Sequence, residues 1–209
     1  MTGSRPGRLA LGVLMLELGM GTAAAEDRVL RAELELEAPL SDVWAAWTTP
    51  EGVRSFFAPG CNVEARPGGP YEILFAPNAA AGQRGGEGLT VLAAEPMRRF
   101  AFTWNAPPKW PEIRAQRTVV NLRLEALGPS RTRLEFTHGG FGEGADWDAV
   151  YDYFDQAWRG VVLPRLVHRL AHGPLDWSKP PKLDPVAQTL QLRLRPAPAE
   201  SFGRRPARP

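Results

Sequence analysis

The stretch that decides the fold is residues 146–170, DWDAVYDYFDQAWRGVVLPRLVHRL, close to the end of the chain. Its apolar side chains recur every three or four positions, at Trp147, Val150, Tyr151, Phe154, Trp158, Val161, Val162, Leu166 and Leu170. This period predicts an amphipathic helix of about 25 residues, roughly 38 Å long. Asp146 can cap the helix, Pro164 predicts a kink, and Gly173 followed by Pro174 ends it. A helix of this length can cross the concave face of a whole sheet.

Upstream of this helix the apolar period is two, which predicts half-buried strands of an antiparallel sheet. The strand candidates are residues 28–38, 71–75, 89–94, 100–104, 117–125 and 131–138. Between the first two, Ser41 can cap a short helix, and Pro50 opens a second one. The order is therefore one strand, two short helices, further strands to a total of about six, and a long helix. This order predicts an α+β fold in which the sheet buries one face against the last helix.

Composition excludes several classes of protein. A length of 209 residues fits one domain with tails, and 21 glycines and 21 prolines indicate many turns. The single cysteine, Cys61, excludes an internal disulfide and a cysteine-cluster metal site. His168 and His172 lie four apart near a helix end, where a charge pair is favoured over a metal pair. No phosphate-binding loop, nucleophile elbow or zincin motif is present, so we expect neither a cofactor nor a metal.

Charge divides the chain into two parts. Residues 26–177 carry 16 basic and 20 acidic side chains, whereas residues 178–209 carry 7 basic and 2 acidic ones. Nucleic-acid binding needs clustered basic residues on the folded body. Because the body is acidic, we expect no nucleic acid partner. The proline- and arginine-rich segment 174–209 is expected to be a mostly disordered tail, with one short strand allowed at Val186–Leu194.

The first 25 residues have the pattern of a signal peptide. Arg5 and Arg8 precede an apolar run of 12 residues, Leu9–Met20, and Ala23–Ala25 offers a cleavage site before Glu26. The run is too short to span a bilayer, so no stable membrane insertion is expected. The predicted location is periplasmic or secreted, with a domain over residues 26–173. Translation from Met20 is the alternative, and it would give a cytoplasmic protein.

Five sequence segments, taken in order, carry a family resemblance. They are APLSDVWAAWTTPE at residues 38–51, RPGG at 66–69, EP at 95–96 followed by FAFTW at 100–104, THGGF at 137–141 and YFDQAW at 153–158. Together they resemble the START-like (SRPBCC) superfamily over about residues 27–172. Within it, the sequence is most similar to the branch named after the C-terminal domain of the activator of the 90-kDa heat-shock-protein ATPase.

The resemblance implies the helix-grip fold, in which a curved antiparallel sheet wraps the C-terminal helix around an internal cavity. Members bind lipids, sterols, polyketides or other apolar ligands, and some act as cyclases or hydrolases. The resemblance therefore implies a small apolar or amphipathic ligand. The co-chaperone that gives the branch its name works on a cytosolic chaperone through a longer protein. We expect no heat-shock chaperone as a partner if this chain is exported.

Six residues are the candidate ligand contacts. Under the implied fold, Trp104, Tyr151 and Trp158 face the space between sheet and helix, where aromatic rings either fill a core or line a cavity. On the strand candidate 131–138, the alternation places the side chain of His138 on the inward face. It is the polar titratable residue on that face, so it is a candidate hydrogen-bond partner for a ligand. A strand-end histidine that caps loop carbonyls is the alternative. The full predicted contact set is Phe102, Trp104, His138, Tyr151, Phe154 and Trp158.

Two other functions stay open at this point. A cofactor-free cyclase, dehydratase or hydrolase could use His138 as a general base, although no nucleophile or carboxylate lies at a spacing that predicts a dyad. A filled core would instead indicate an interaction module that uses the proline-rich loop around Trp110 or the tail. We expect a binding protein rather than an enzyme, and we assign no catalytic residue.

Three arginines and one loop could shape the mouth of such a cavity. Arg66, Arg114 and Arg117 are candidate anchors for a ligand carboxylate, although parity points Arg117 outward. The loop Asn78 to Gly88 has few side chains to pack and is expected to be mobile. An exposed Trp110 would suit a lid or a partner contact, and packing against its own domain is the equal alternative.

Overall fold

The structure, a computed structural model, describes residues 28–183. The predicted signal peptide, the alternative start at Met20 and the alternating segment Val186–Leu194 lie outside the described residues. The strands are Leu30–Leu36 (β1), Gly60–Val63 (β2), Tyr71–Leu74 (β3), Gly85–Gly86 (β4), Val91–Glu95 (β5), Arg99–Trp104 (β6), Thr118–Gly128 (β7) and Arg131–Gly139 (β8). The helices are Leu40–Thr48 (α1), Pro50–Phe56 (α2), Pro111–Arg114 (α3), Ala145–Ala157 (α4) and Leu163–His172 (α5).

The predicted α+β class is confirmed. A curved antiparallel sheet has the order β1-β8-β7-β6-β5, and the long C-terminal helix packs against it. A second sheet, absent from the sequence-based prediction, has the order β2-β3-β4. An isolated bridge between Pro70 and Thr90 lies between the two sheets, and beside it the N–H groups of Tyr71 and Val91 donate to the carbonyls of Leu89 and Gly69. Pro70 has no backbone N–H to donate, so the regular ladder is interrupted at this position.

The alternation of apolar residues places the core face of the large sheet as expected. On β7 and β8, Val120 lies opposite His138, and Leu122 lies opposite Phe136. All four side chains are buried. The intervening positions point to the outer face, where Arg133 pairs with Glu33 and Glu125. A period of two therefore separates an apolar inner face from an ion-paired outer face.

The long helix is continuous but irregular. A π-helical turn, Trp158–Val162, joins α4 to α5, and the Leu163 N–H bonds to the Trp158 carbonyl five residues earlier. Pro164 has no N–H, and its ring clashes with the carbonyl four residues earlier in a regular helix. The wider turn before Pro164 accommodates that clash. The predicted kink stays a prediction.

Two predicted helix caps are wrong. Helix α1 begins after Pro39 and α4 begins after Gly144, with no side-chain cap on either. Ser41 and Asp146 instead lie inside the first turn of their helices. A proline or glycine with suitable backbone angles starts each helix, so the expected serine and aspartate caps are not used.

The packed chain continues beyond residue 173, where composition placed the end of the domain. The Leu175 N–H donates to the Ser55 carbonyl at 2.8 Å, and the Trp177 indole donates to the Arg54 carbonyl at 2.6 Å. Burial of Leu175 adds apolar contact that the proline content of this segment conceals. Within the described part of the chain, no helix is both long and apolar enough to cross a membrane.

Candidate functional site: an aromatic cavity between sheet and helix

A cavity of about 220 Å³ lies between the end of β6, the C-terminal helix and two loops. Its aromatic wall consists of Phe57, Phe75, Trp104, Tyr153, Phe154 and Trp158. Small apolar residues complete the lining, namely Ala76, Gly85, Gly86, Ala106, Pro107, Pro108, Ala157 and Val162. The polar lining residues are Gln83, Arg84, Asn105 and Arg114. An apolar chamber with a few polar groups at one side is the usual form of a small-molecule site.

The deep end of the wall is a set of rings in mutual contact. Phe57 stacks on Trp104 with ring centroids 5.6 Å apart and planes at 14°. Trp158 lies 5.5 Å from Trp104 and 5.7 Å from Phe57. Rings that pack on one another lose little freedom when a further ring joins them. The wall is therefore formed before any ligand enters.

A buried polar chain fixes the orientation of Trp158. The Trp158 indole N–H donates to His138 Nδ1 at 3.0 Å, and His138 Nε2 lies 2.8 Å from Thr118 Oγ1. The Thr118 hydroxyl donates in turn to the Trp104 carbonyl at 3.3 Å. Since Nδ1 accepts, the imidazole proton resides on Nε2, and every polar atom of the ring has a partner.

Burial keeps His138 neutral. Desolvation lowers the pKa of His138 to about 3, because a charged imidazolium in this apolar surrounding has lost its water. The rings of Phe141 and Phe154 lie 4.6 Å and 4.9 Å away. A general base needs a free lone pair near its substrate. The lone pair of His138 accepts the Trp158 indole N–H, so His138 itself is not free to act as a general base in this geometry.

Three of the six predicted contacts meet at the cavity, namely Trp104, Phe154 and Trp158. Phe102 and His138 lie outside its lining. Phe102 packs 4.2 Å from the ring of Tyr71 in the core. Tyr151 also lies outside the lining, with its ring 5.1 Å from Phe141 and under the guanidinium of Arg28 at 4.9 Å.

Sequence reasoning missed several members of the wall. Tyr153, not Tyr151, is the helix tyrosine that lines the cavity. The two tyrosines lie on opposite sides of the buried apolar stripe of the helix. Phe57 follows α2, and Phe75 follows β3 at the end of the strand candidate 71–75. The alternation of Phe75 with Tyr71 and Ile73 places these side chains on one face, but it does not distinguish a core position from a cavity position. The five aromatic residues from Trp147 to Trp158, both included, are too many for one face of the helix, so at least one ring must face outward or sideways. They do not indicate which flank meets the cavity.

Charged side chains hold the two loops that form the roof of the cavity, one with Gln83 to Gly86 and one with Asn105 to Pro108. Arg114 donates to the carbonyls of Ala106 at 2.6 Å, Gly82 at 3.2 Å and Gly85 at 2.7 Å, which joins the two roof loops. Desolvation lowers the pKa of Arg114, and the nearby Glu87 opposes this shift. The loop expected to be mobile is thus held at several points. Gly85 has φ +139°, and a Cβ there would lie 2.4 Å from the Ile73 carbonyl, so the roof requires glycine.

Glu87 organises the same loop. Its carboxylate accepts the N–H groups of Gly82 and Arg84, each at 3.0 Å, and pairs with Arg84 Nε at 2.8 Å. Asn105 Nδ2 donates to the Glu87 carbonyl at 3.3 Å. Partial desolvation would raise the pKa of Glu87, but these hydrogen bonds and the Arg84 charge lower it overall.

Trp110 packs on its own domain, next to the lining residue Tyr153. Its ring meets Tyr153 edge-on at 5.8 Å, and Lys109 Nζ lies 3.8 Å above the Trp110 ring. The proline-rich loop is thereby joined to the long helix next to the lining. Of the two interpretations of Trp110, contact with its own domain is the one that the structure contains.

The remaining candidates lie elsewhere. Arg66 is exposed and pairs with Glu64, and Arg117 donates to the Arg114 carbonyl. The His168 and His172 rings are 4.7 Å apart. Across residues 28–183, no three histidine, cysteine, aspartate or glutamate side chains are placed to share a metal ion.

The fold is that of a START-like helix-grip domain, a class of ligand-binding domains. The chain belongs to the family described as Activator of Hsp90 ATPase homolog 1-like protein, whose model matches residues 37–171. The resemblance drawn from the sequence segments is therefore confirmed. A search of curated protein sequences gives no match.

Solved structures show the same fold at low identity. Protein MLL2253 from Mesorhizobium loti is 23% identical with a TM-score of 0.56, over 70% of this chain and 99% of that one. The Aha1 dimer from Colwellia psychrerythraea is 20% identical with a TM-score of 0.52, over 69% and 97%. PFC0360w, an HSP90 activator from Plasmodium falciparum, is 15% identical with a TM-score of 0.52, over 70% and 96%. At these identities the likeness concerns the fold alone.

Proposed function

We propose that this protein binds a small apolar or amphipathic molecule in the cavity between the sheet and the C-terminal helix. The observation that carries the proposal is the preformed aromatic wall around about 220 Å³ of space. A folded core normally fills its interior to near-crystal density. A chamber lined by six aromatic rings departs from that density, and filling it with a ligand restores the missing contacts.

The cavity volume limits the size of the ligand. An apolar cavity of about 150 Å³ accepts benzene, whereas drug-sized ligands occupy about 300–1,000 Å³. A volume of about 220 Å³ therefore suits one ring or two fused rings, with substituents that extend past the roof loops. Sterol-sized ligands need the roof to open.

The residues divide into contacts and supports. In the proposal, Trp104, Phe154 and Trp158 contact the ligand, as predicted from the sequence, and Tyr153 adds a fourth ring. His138 is a positioning residue, because it acts by holding the Trp158 indole. Phe102 supports Trp104 from the core side, with its ring centroid 5.9 Å away.

A calorimetric titration of the full-length chain with 2-naphthamide, a neutral two-ring probe, tests the proposal. We expect one binding site per chain. Ala157→Leu fills the lining with methyl groups on a helix that tolerates leucine, so it should abolish binding without unfolding the domain. Ala149→Leu is the matched control, because Ala149 is exposed on the same helix and outside the lining.

A second variant tests the wall itself. Trp104→Ala should weaken 2-naphthamide binding at least about tenfold, far more than Arg66→Gln at the surface, since a wall ring is lost. Circular dichroism of each variant shows whether the fold is intact. The proposal fails if the wild type does not bind, or if Ala157→Leu binds as well as Ala149→Leu.

The location and partner follow as a separate proposal. We propose that the mature protein begins at Glu26 in the periplasm or outside the cell, so that a heat-shock chaperone is not its partner. The signal-like pattern of residues 1–25 supports this. Intact mass spectrometry of protein from its own host should give a chain that begins at Glu26. A chain that begins at Met1 or Met20 would contradict it.

A further inference from the structure

The charges around the cavity are unevenly distributed. Its lining contains two guanidinium groups, those of Arg84 and Arg114, and no carboxylate among the described residues. Lys109 Nζ lies 5.4 Å from the ring centroid of Tyr153, another wall residue. Three cations thus border a chamber whose other lining residues are uncharged.

The carboxylate of Glu87 interacts with both Arg84 and Arg114. Glu87 pairs with Arg84 Nε at 2.8 Å and lies 3.6 Å from Arg114 Nη2. The side chains of Arg114 and Glu87 are only 15% and 13% exposed, so water screens this group less than a surface pair. Arg84, Arg114 and Glu87 together therefore carry one positive charge in excess.

The Arg114 guanidinium has N–H groups that its hydrogen bonds to the roof loops leave unused. A guanidinium carries five N–H groups, and its bonds to the carbonyls of Gly82, Gly85 and Ala106 use three of them. These bonds fix the plane of the guanidinium at the cavity edge. A fixed, partly desolvated guanidinium favours an anionic oxygen over a neutral one, because a charge-assisted hydrogen bond is the stronger.

We propose that the cavity selects a flat ligand of one or two rings with a single negative charge, such as an aromatic carboxylate. The ring lies against Trp104 and Trp158, and the carboxylate meets Arg114 at the roof. This inference rests on the proposed function, since it names the ligand class of the same cavity. It goes further by assigning Arg114 and Glu87 opposite effects on ligand choice.

Two probes that share one ring system isolate the charge. The full-length chain is titrated with 2-naphthoate and with 2-naphthamide at pH 7 and low salt, and the ratio of their dissociation constants is the measured quantity. We expect 2-naphthoate to bind about fivefold more tightly, as one partly screened charge interaction predicts. The preference should shrink in 1 M NaCl, where the Debye length is about 3 Å.

Two variants should move the ratio in opposite directions. Arg114→Gln removes the cation and should abolish the preference, whereas Glu87→Gln removes the neutralising charge and should increase it about threefold. Arg66→Gln is the matched control, because it changes the net charge as Arg114→Gln does at a site outside the cavity lining. Damage to the roof weakens both probes together, so it leaves the ratio unchanged.

The outcomes distinguish a failure of this inference from a failure of the proposed binding function. Equal affinities in the wild type would overturn the anion preference and leave the binding function standing. A ratio that Arg114→Gln leaves unchanged, or that Glu87→Gln lowers, would also overturn it. If neither probe binds, both the inference and the proposed function are wrong.

Discussion

The core of this domain has two halves that use the same residue types and differ in how completely they are filled. In the filled half, Trp47 packs edge-on against Phe56 at 5.1 Å, and Tyr71 meets Phe100 at 5.1 Å. In the hollow half, Trp104, Tyr153, Phe154 and Trp158 surround open space. Phe57 belongs to both halves, since its ring contacts Trp47 and Trp104.

The element that covers each half explains the difference. Helices α1 and α2 cover the filled half and insert the side chains of Val43, Trp47 and Val53 into it. The hollow half is covered by two loops, in which Arg114 and Glu87 bond mainly to backbone groups. A loop held by charged groups contributes few apolar side chains to the space beneath it. The cavity therefore results from a roof with few apolar side chains, rather than from smaller residues in the wall.

The largest expected effect compares one phenylalanine from each half. Phe100→Ala should lower the free energy of unfolding by about 4 kcal/mol, because Phe100 is enclosed on all sides. Phe154→Ala should cost about 2 kcal/mol, because part of its ring already faces the cavity. Urea unfolding of both variants measures the difference. Equal losses would show that the hollow half is packed like the filled one.

The next effect concerns acid stability and the buried histidine. An unfolded histidine gains its proton near pH 6.5, whereas His138 in the fold does so at about pH 3. Between these values the unfolded state binds more protons, so stability falls as the pH is lowered. His138 should contribute a loss of about 1.4 kcal/mol per pH unit between pH 6 and pH 4.

The matched variant for this effect is His138→Gln. Glutamine can accept from Trp158 and donate to Thr118 without titrating, so this contribution to the slope should disappear. Urea unfolding of wild type and variant at pH 4, 5, 6 and 7 gives the two slopes. Parallel slopes would mean that the fold does not lower the pKa of His138.

The smallest effect lies at the rim of the hollow half. Phe75 lines the cavity but is 45% exposed. Phe75→Ala should change the free energy of unfolding by no more than about 0.5 kcal/mol, while it weakens 2-naphthamide binding about threefold. Thermal unfolding and calorimetry check the two parts. A large loss of stability would assign Phe75 to the filled half instead.

The regular elements were predictable because each has a local cause. The alternation in residues 131–138 needs only a half-buried strand, and the three-to-four spacing from Trp147 needs only a helix on a sheet. Helix caps were less predictable, since backbone angles at Pro39 and Gly144 decided them. The π turn follows from Pro164, but its form depends on how the helix packs.

The site was predictable only in part. Trp104, Phe154 and Trp158 could be predicted, because the apolar period of the strand and of the helix determines which side chains face inward. Arg114 was a candidate anchor for a ligand carboxylate, but its place at the roof depends on non-local bonds to Gly82 and Gly85 that the sequence does not give. Phe75 lines the cavity from just beyond the end of β3. The predicted role of His138 as a polar ligand contact remains a prediction, and the structure adds its bond to Trp158.

The most direct test of the central claim observes both halves in a single spectrum. The seven tryptophan indole N–H signals of the ¹⁵N-labelled full-length chain are followed during titration with 2-naphthamide. We expect the signals of Trp104 and Trp158 to shift while that of Trp47 stays in place, because only the first two line the cavity. The claim is contradicted if Trp47 shifts as much as Trp104, or if no indole signal responds.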